Sequence, residues 1–476
     1  MADVSVTNFS FKYNQANTNT LEDENLTFQT NHFSLLSGPS GSGKTTLLKF
    51  IAGLYPKFVE GNATGSIQFD GKDITSIPAS DRNQLVAMMF QNPDQQFAMN
   101  TVKAEMTFVL ENIQTDPAKM DDIIDNALKF VGISDLKNRE INTLSGGQKQ
   151  RLALASIIAM DSEVIVLDEP FASIDYDTRV DLIARLKQLQ TEHGKTIILS
   201  DHDLSNYKEV IDDFFYLDPA TRHIAKLNNT QKNAFFQRFE QTKIKETVVA
   251  EPSASDPKII NFADFNLKPH GDSLLQLNGF NFYRGKTTLV TGENGIGKST
   301  LFDAMTRLTK YQGTISYAKK NIAKIKPLKY AQNVSLLFQD AESQFLNITV
   351  KEELDLSLKN RFTTNYSEDN INQMLGELHL DNRMDQVVYS LSEGQKKKLQ
   401  ILEMLIMNPP VLLLDEPLKG LDYDSLRTIV GYLKDAKIRF NQTQIIISHQ
   451  FSGIIDLIDY HVDFAAHNLT YQEVLK

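Results

Sequence analysis

"GPSGSGKTT", Gly38 to Thr46, follows the apolar run "HFSLLS" and leads into "LLKFIAGL". "GENGIGKST", Gly292 to Thr300, follows "TTLVT" and leads into "LFDAM". Each is a G-x-x-x-x-G-K-[ST] loop between a buried strand and a helix. Such a loop binds phosphate. Its glycines let backbone N–H groups turn inward around the oxygens, and the helix that follows points its positive end at the same place. Lys44 and Lys298 are expected to reach the β- and γ-phosphates, and the hydroxyls of Thr45 and Ser299 to ligate Mg²⁺. Gly38, Ser40, Gly41, Gly43 and Thr46 complete the first cradle. Gly292, Asn294, Gly295, Gly297 and Thr300 complete the second. A single match could be a chance loop; two in register with other motifs are not.

The register extends along the whole chain. The loops are 254 residues apart, Gly38 against Gly292. "MFQNPDQQF" answers "LFQDAESQF" with Gln91 and Gln339 248 apart. "LSGGQKQRLA" (Leu144 to Ala153) answers "LSEGQKKKLQ" (Leu391 to Gln400), and "VIVLDEP" answers "VLLLDEP" with Asp168 and Asp415, both at 247. His202 and His449 keep the same 247. The chain is therefore a duplication with a short deletion early in the second half. Between the halves, "QTKIKETVVAEPSASDPK" (Gln241 to Lys258) is polar, with Pro and Ser and no apolar periodicity, as a linker is. The expected domains are 1–240 and 258–476, with 241–257 as linker. The strand-like runs "HFSLLSG", "VIVLD", "TIILS", "TTLVTG", "VLLLD" and "QIIIS" suit a parallel sheet. "TVKAEMTFVLENI" and "MDDIIDNALKFVGI" read as helices inserted between the Gln and the signature.

Composition narrows the function classes. The 476 residues exceed one typical domain. No stretch approaches the roughly 20 apolar residues of a membrane span, and "MADVSVTNFSFKY" does not read as a secretory signal. With no cysteine, disulfides, thiol catalysis, iron–sulfur clusters and Cys-bound zinc are excluded. A net charge of −11 argues against a general nucleic-acid binder.

The remaining chemistry is that of phosphoryl transfer, which needs positioning and charge neutralisation. Asp168 and Asp415, at the ends of buried strands, would hold the Mg²⁺ shell. Glu169 and Glu416 would polarise the attacking water. His202 and His449 follow the next strand and would contact the γ-phosphate.

This motif set, with the signature between Gln and Asp, resembles the ATP-binding cassette (ABC) nucleotide-binding domain in each half. The resemblance implies an α/β fold of two tandem P-loop ATPase domains, each a RecA-like core with an antiparallel β portion and a helical subdomain. It implies ATP and Mg²⁺ as ligands, and it adds Gln91 and Gln339 to the Mg²⁺ shell. It also implies that each signature completes the other half's site: Ser392, Gly394 and Gln395 for the first, Ser145, Gly147 and Gln148 for the second. Asp175 and Asp422 follow as the carboxylates of the loops after each DE pair. Two departures stand out. Glu393 replaces the Gly146 of the first signature. Tyr13, placed to stack on adenine, is answered by Leu267, so the second half would hold adenine by apolar contact alone.

The segment after each Gln, "FQNPDQQFAMNTVKAEMTFVLEN" and "FQDAESQFLNITVKEELDLSLKN", resembles the ATPases of energy-coupling factor (ECF) importers of vitamins and transition metals. That resemblance implies a peripheral ATPase on the cytoplasmic face of a cell membrane, bacterial in origin. Its partners would be a transmembrane scaffold protein and a small substrate-binding membrane protein, with no nucleic acid. Gln95, Gln96, Phe97, Gln344 and Phe345 are the expected contacts to the scaffold. A fused sugar-importer ATPase is an alternative, though it usually lacks a full Gln-loop in the second half. A soluble ABC-F translation factor is another, disfavoured by the short linker and the acidic balance.

Overall fold

An apolar five-residue run needs cover on both faces, which a strand finds inside a parallel sheet. Phe33–Ser37, Val164–Asp168 and Thr196–Ser200 are such runs, and every residue in them is buried. The computed structural model describes residues 3–475 except 15–17, 219–220, 241–246, 270–272, 294, 362 and 449–452. In it these three runs lie side by side, in a sheet ordered Ile224–Lys226, Asp213–Leu217, Phe33–Ser37, Thr196–Ser200, Val164–Asp168, Val86–Met89. All pairs are parallel except the first. A four-stranded antiparallel sheet, centred on Val4–Tyr13 and Gly61–Phe69, accompanies it.

Alternate residues of one strand feed two cores. Leu35, Ile165 and Leu167 pack with the helices Val102–Asn112, Pro117–Phe130 and Gly146–Ala159. Leu36, Val164 and Val166 pack with the helix Lys44–Ile51 and the antiparallel sheet. The inserted helices begin at side-chain caps, Thr101, Asp116 and Ser145.

The second half repeats the plan. Its main sheet runs Val334–Leu337, Val411–Asp415, Thr443–Ile447, Thr287–Thr291, Tyr460–Ala465, Asn468–Gln472, and its antiparallel sheet centres on Lys258–Leu267. The chain forms two compact units, residues 1–241 and 242–476. The stretch read as linker is not all coil. Thr247–Val248 pairs antiparallel with Val474–Leu475, and Val249 joins the second unit's core. Among the described residues no helix is long and apolar enough to cross a membrane.

Candidate functional site

In the first unit the loop after Phe33–Ser37 closes around its own lysine. Lys44 Nζ donates to the carbonyls of Gly38 and Pro39, both at 2.8 Å. A Cβ on Gly38 would fall 2.8 Å from the Leu217 carbonyl, so only glycine fits there. Gly41 and Gly43 have φ of 75° and 112°, in the left-handed region that favours glycine. Ser40 lies in the turn, and Thr46 in the first turn of the helix that begins at Lys44. The second unit repeats this. Lys298 Nζ donates to Gly292 and Glu293 carbonyls at 2.7 and 2.9 Å. Gly295 and Gly297 again have positive φ, and Ser299 and Thr300 open the helix. Asn294 lies outside the described residues. Burial pushes the Lys298 ammonium down, against Glu416 and Asp415.

The carboxylates gather at the strand ends. The Ser200 hydroxyl donates to Asp168 Oδ1 at 2.6 Å. Burial raises the Asp168 carboxyl's affinity for its proton, with the Glu169 charge adding and the Ser200 and Thr45 hydroxyls and Lys44 opposing. Asp168 Oδ2 is buried with no hydrogen-bond partner among the described residues. An orphaned carboxylate oxygen beside a hydroxyl suits a hard cation that takes oxygen ligands. Asp415 stands the same way next to Ser299; burial raises it, and Ser299, Lys397 and Lys298 oppose. Among the described residues no cluster of His, Cys, Asp or Glu could hold a metal unaided. Mg²⁺ here would need phosphate oxygens and water to complete its shell.

Glu169 sits between two other expected site residues. Gln91 Nε2 donates to its Oε2 at 3.0 Å, and His202 Nε2 lies 2.8 Å from its Oε1. Burial raises this carboxyl, but the His202 ring, Lys44 and Gln91 outweigh it and its pKa is lowered. The backbone here is constrained: Glu169 and Glu416 have φ of 49° and 45°, unusual for a residue with a side chain. Each N–H is pinned across the sheet, to the Ser200 and Ile447 carbonyls. Gln339 is exposed, and its carbonyl accepts from Lys397 Nζ at 2.9 Å. His449 lies outside the described residues.

Both signatures are helix N-termini with reciprocal caps. Ser145 Oγ accepts from Gln148 N–H while Gln148 Oε1 accepts from Ser145 N–H at 2.9 Å; Ser392 and Gln395 do the same at 3.0 Å. A Cβ on Gly147 would fall 2.5 Å from the Ser173 carbonyl, whereas one on Gly146 would meet Ser173 only at 3.5 Å. The position that varies is the one with room. Glu393 is exposed, and its charge is felt by Lys397 and Lys419. Asp175 and Asp422 cap their own helices, accepting from Thr178 and Ser425 N–H at 3.0 and 2.9 Å.

Several expectations need correction. Leu267 is fully buried, because it ends a strand paired with Leu275, so it has no face to offer adenine. Tyr13 is half-buried with its hydroxyl 2.9 Å from Thr46 Oγ1, close to the phosphate loop. Of the expected scaffold contacts only Gln95 is exposed. Gln96 Oε1 accepts from Phe90 N–H, Gln344 Oε1 accepts from Gln400 Nε2, and Phe97 and Phe345 pack into the cores. An aromatic ring gains more from burial than from waiting in water for a partner. What does face solvent beside this segment is Leu346, Ile348, Val387 and Tyr389, which are 80, 66, 44 and 54% exposed. In the first unit a cleft of about 550 Å³ takes that place, lined by Met99, Thr101, Lys103, Ala104, Thr107 and Phe108. Sequence reading also missed Ser200, Arg179 and Lys419. Ser200 ends "TIILS", and its partnership with Asp168 follows from parallel register, which a single sequence does not display.

The family model described as ABC transporter matches residues 21–172 and 275–419. The chain is 31% identical to the "Putative HMP/thiamine import ATP-binding protein YkoD" of Bacillus subtilis (strain 168), across 88% of this chain and 82% of that one. It is 29% identical to a "Putative ABC transporter ATP-binding protein" of Treponema denticola, across 95% and 93%. Among solved structures it resembles the "RNase-L Inhibitor", with a TM-score of 0.64 at 17% identity, covering 98% of this chain and 90% of that one. At that identity the likeness is one of fold.

Proposed function

We propose that this chain, which belongs to the ABC transporter family, is the energy-coupling ATPase of an ECF-type importer of a vitamin or transition-metal micronutrient. Its activity is that of the family, ATP hydrolysis. The observation that carries the import reading is the 31% identity to a relative named for HMP/thiamine import, running through both units. The exposed apolar side chains at Leu346, Ile348, Val387 and Tyr389, and the cleft at Met99 and Phe108, add support. A solvent-facing apolar group of this size beside a site suits a partner protein. The chain would sit on the cytoplasmic face of a bacterial membrane, bound to a transmembrane scaffold and a small substrate-binding membrane protein.

In each half the phosphate loop would hold ATP by its backbone N–H groups and by Lys44 or Lys298. Thr45, Gln91 and Asp168, or Ser299, Gln339 and Asp415, would hold Mg²⁺, which would neutralise charge on the phosphates. Glu169 and Glu416 would orient the attacking water and take its proton. His202 and His449 would hold the γ-phosphate. The signature residues Ser392, Gly394 and Gln395 would serve the first nucleotide, and Ser145, Gly147 and Gln148 the second. Tyr13 would stack on the first adenine.

The test is affinity purification of the full chain from detergent-solubilised membranes of its host. Recovery of a transmembrane scaffold with a small membrane protein supports the reading, and the small protein names the nutrient. A sugar-type permease pair moves the chain to the alternative importer class. Ribosomes in place of membrane proteins remove the transport reading and leave the ATPase chemistry.

A further inference from the structure

His202 stands on a stretch with no regular structure of its own. Its strand ends at Ser200, and the next strand begins at Asp213. The stretch is held by a buried cation from elsewhere in the unit. Arg179, in the first turn of the helix Tyr176–His193, is 4% exposed. Its guanidinium pairs with Asp201 at 3.3 Å and with Asp203, the two residues that flank His202. It also donates to the Asp203 carbonyl. Tyr207, fully buried, donates its hydroxyl to Asp201 Oδ2 at 2.7 Å, and its ring centre lies 5.3 Å from the guanidinium. Asp201 Oδ1 accepts from the Asp203 N–H at 3.0 Å, tightening the turn around His202.

Such a network is a costly way to fill space. Buried ion pairs lose hydration, and apolar side chains of similar volume often stabilise a fold as well or better. The second half carries no charge at the corresponding positions, and two of them are apolar. At the positions 247 residues on from Arg179, Asp201, Asp203 and Tyr207 stand Leu426, Ser448, Gln450 and Ile454, none of them charged. Leu426 and Ile454 are part of the second unit's core. The second half repeats the sheet and helices of the first without charges at these four sequence positions. What distinguishes them is geometry: a planar guanidinium with five donors fixes two carboxylates and a carbonyl in one arrangement.

We propose that Arg179, Asp201 and Tyr207 are positioning residues that hold His202 against Glu169, so that the first half's ATP site is pre-set by an ionic clamp which the second half does not carry. The proposal rests on the assignment of His202 and Glu169 to the reaction, and it is independent of what the importer carries. It makes the two sites unequal in a stated direction. Removing the clamp slows hydrolysis in the first half only.

The test replaces Arg179→Leu, Asp201→Ser and Tyr207→Ile together, which installs the residues the second half already uses. In a Glu416→Gln chain, turnover reports the first half. There kcat is expected to fall about tenfold to a hundredfold, with KM for ATP unchanged. In a Glu169→Gln chain the same three changes leave turnover as it was. Equal losses in both chains mean a general loosening of the fold, and no loss in either means no clamp; both overturn the proposal. His202→Ala in the Glu416→Gln chain separates the premises. Full turnover there removes the His202 assignment and the proposal with it, whereas loss there but not in the triple variant refutes the clamp alone. Where either Gln chain has no turnover, a single-turnover time course is run with both glutamates present. The clamp predicts a slow phase of half the amplitude, and a uniform rate refutes it.

Discussion

The Cβ that Gly147 lacks would lie 2.5 Å from the Ser173 carbonyl oxygen, so the signature helix of the first unit packs directly on the loop after Asp168 and Glu169. Gly147→Ala must push that loop or the helix aside. Overpacking of this kind costs about 1–3 kcal/mol, so a fall of several degrees in the thermal midpoint is expected. Gly146→Ala, with 3.5 Å of room, should melt near the parent. Calorimetry of the two variants checks this; equal midpoints would show that the backbone contact is not maintained in solution.

Glu169→Gln keeps the shape and the hydrogen-bonding capacity beside Gln91 and His202 but removes the carboxylate proposed as the base. A positioned base contributes about a hundredfold or more. Hydrolysis in the first half should fall by at least that factor while ATP stays bound. Rapid gel filtration with labelled ATP would report retained, unhydrolysed nucleotide, and Glu416→Gln should do the same for the second half. Normal turnover in both variants would sink the assignment.

Glu403 gives the second unit a pH dependence. It lies within the signature helix Glu393–Met407, 3% exposed, with Oε1 unpartnered among the described residues. Burial pushes its carboxyl well above its ordinary 4.5, and the charge of Glu353 adds to the push. A carboxyl raised on folding favours the folded state most below its ordinary value, and that contribution is lost as pH climbs toward the raised one. Glu403→Gln removes the titration. The variant should be more thermostable than the parent at pH 8, with the gap narrowing toward pH 5. A gap independent of pH would rule the group out.

Glu393 and Lys419 should be coupled. The first unit has Gly146 and Ala172 at these positions, and the second unit has one charge of each sign. Lys419 feels both Glu393 and Glu416. Glu393→Gly alone leaves Lys419 and Lys397 facing each other with less compensation. A double-mutant cycle with Lys419→Ala, read by denaturant unfolding, should return a favourable coupling of at least about 0.2–1 kcal/mol, the range for exposed pairs, because Lys419 is partly buried while Glu393 is exposed. A coupling of zero would mean the two departures arose independently.

How much of this was legible in one sequence depends on the range of the interaction. The phosphate loops, the DE pairs and the strands that carry them are written in contiguous residues, and repetition at a fixed spacing reinforces them. Relations set by register are not. Asp168 meets Ser200 because two parallel strands align them, and Arg179 meets Asp201 across a helix and a strand. Phe345 and Leu267 show the reverse failure. Both looked available for contact, and both were taken by the cores, because apolar side chains next to a sheet are buried first. The Gln96 and Gln344 side chains were likewise spent on internal hydrogen bonds. The exposed apolar surface belongs to Leu346 and Ile348, just after the segment, and to Val387 and Tyr389, which the Thr349–Val387 bridge brings beside it.

Thr247–Val248 and Val474–Leu475 are strand partners, so the second unit begins and ends at the same place. The first unit runs on past its last sheet strand into the helix Asn229–Glu240. Seen as a circuit, the second unit is a ring whose clasp is two residues of backbone pairing. A circular permutant that joins 475 to 247 and opens a surface loop elsewhere should keep its ladder intact, since permutation is tolerated where termini adjoin. Cutting the chain at 257 instead would open the clasp and leave Val474 and Leu475 as an unpaired edge.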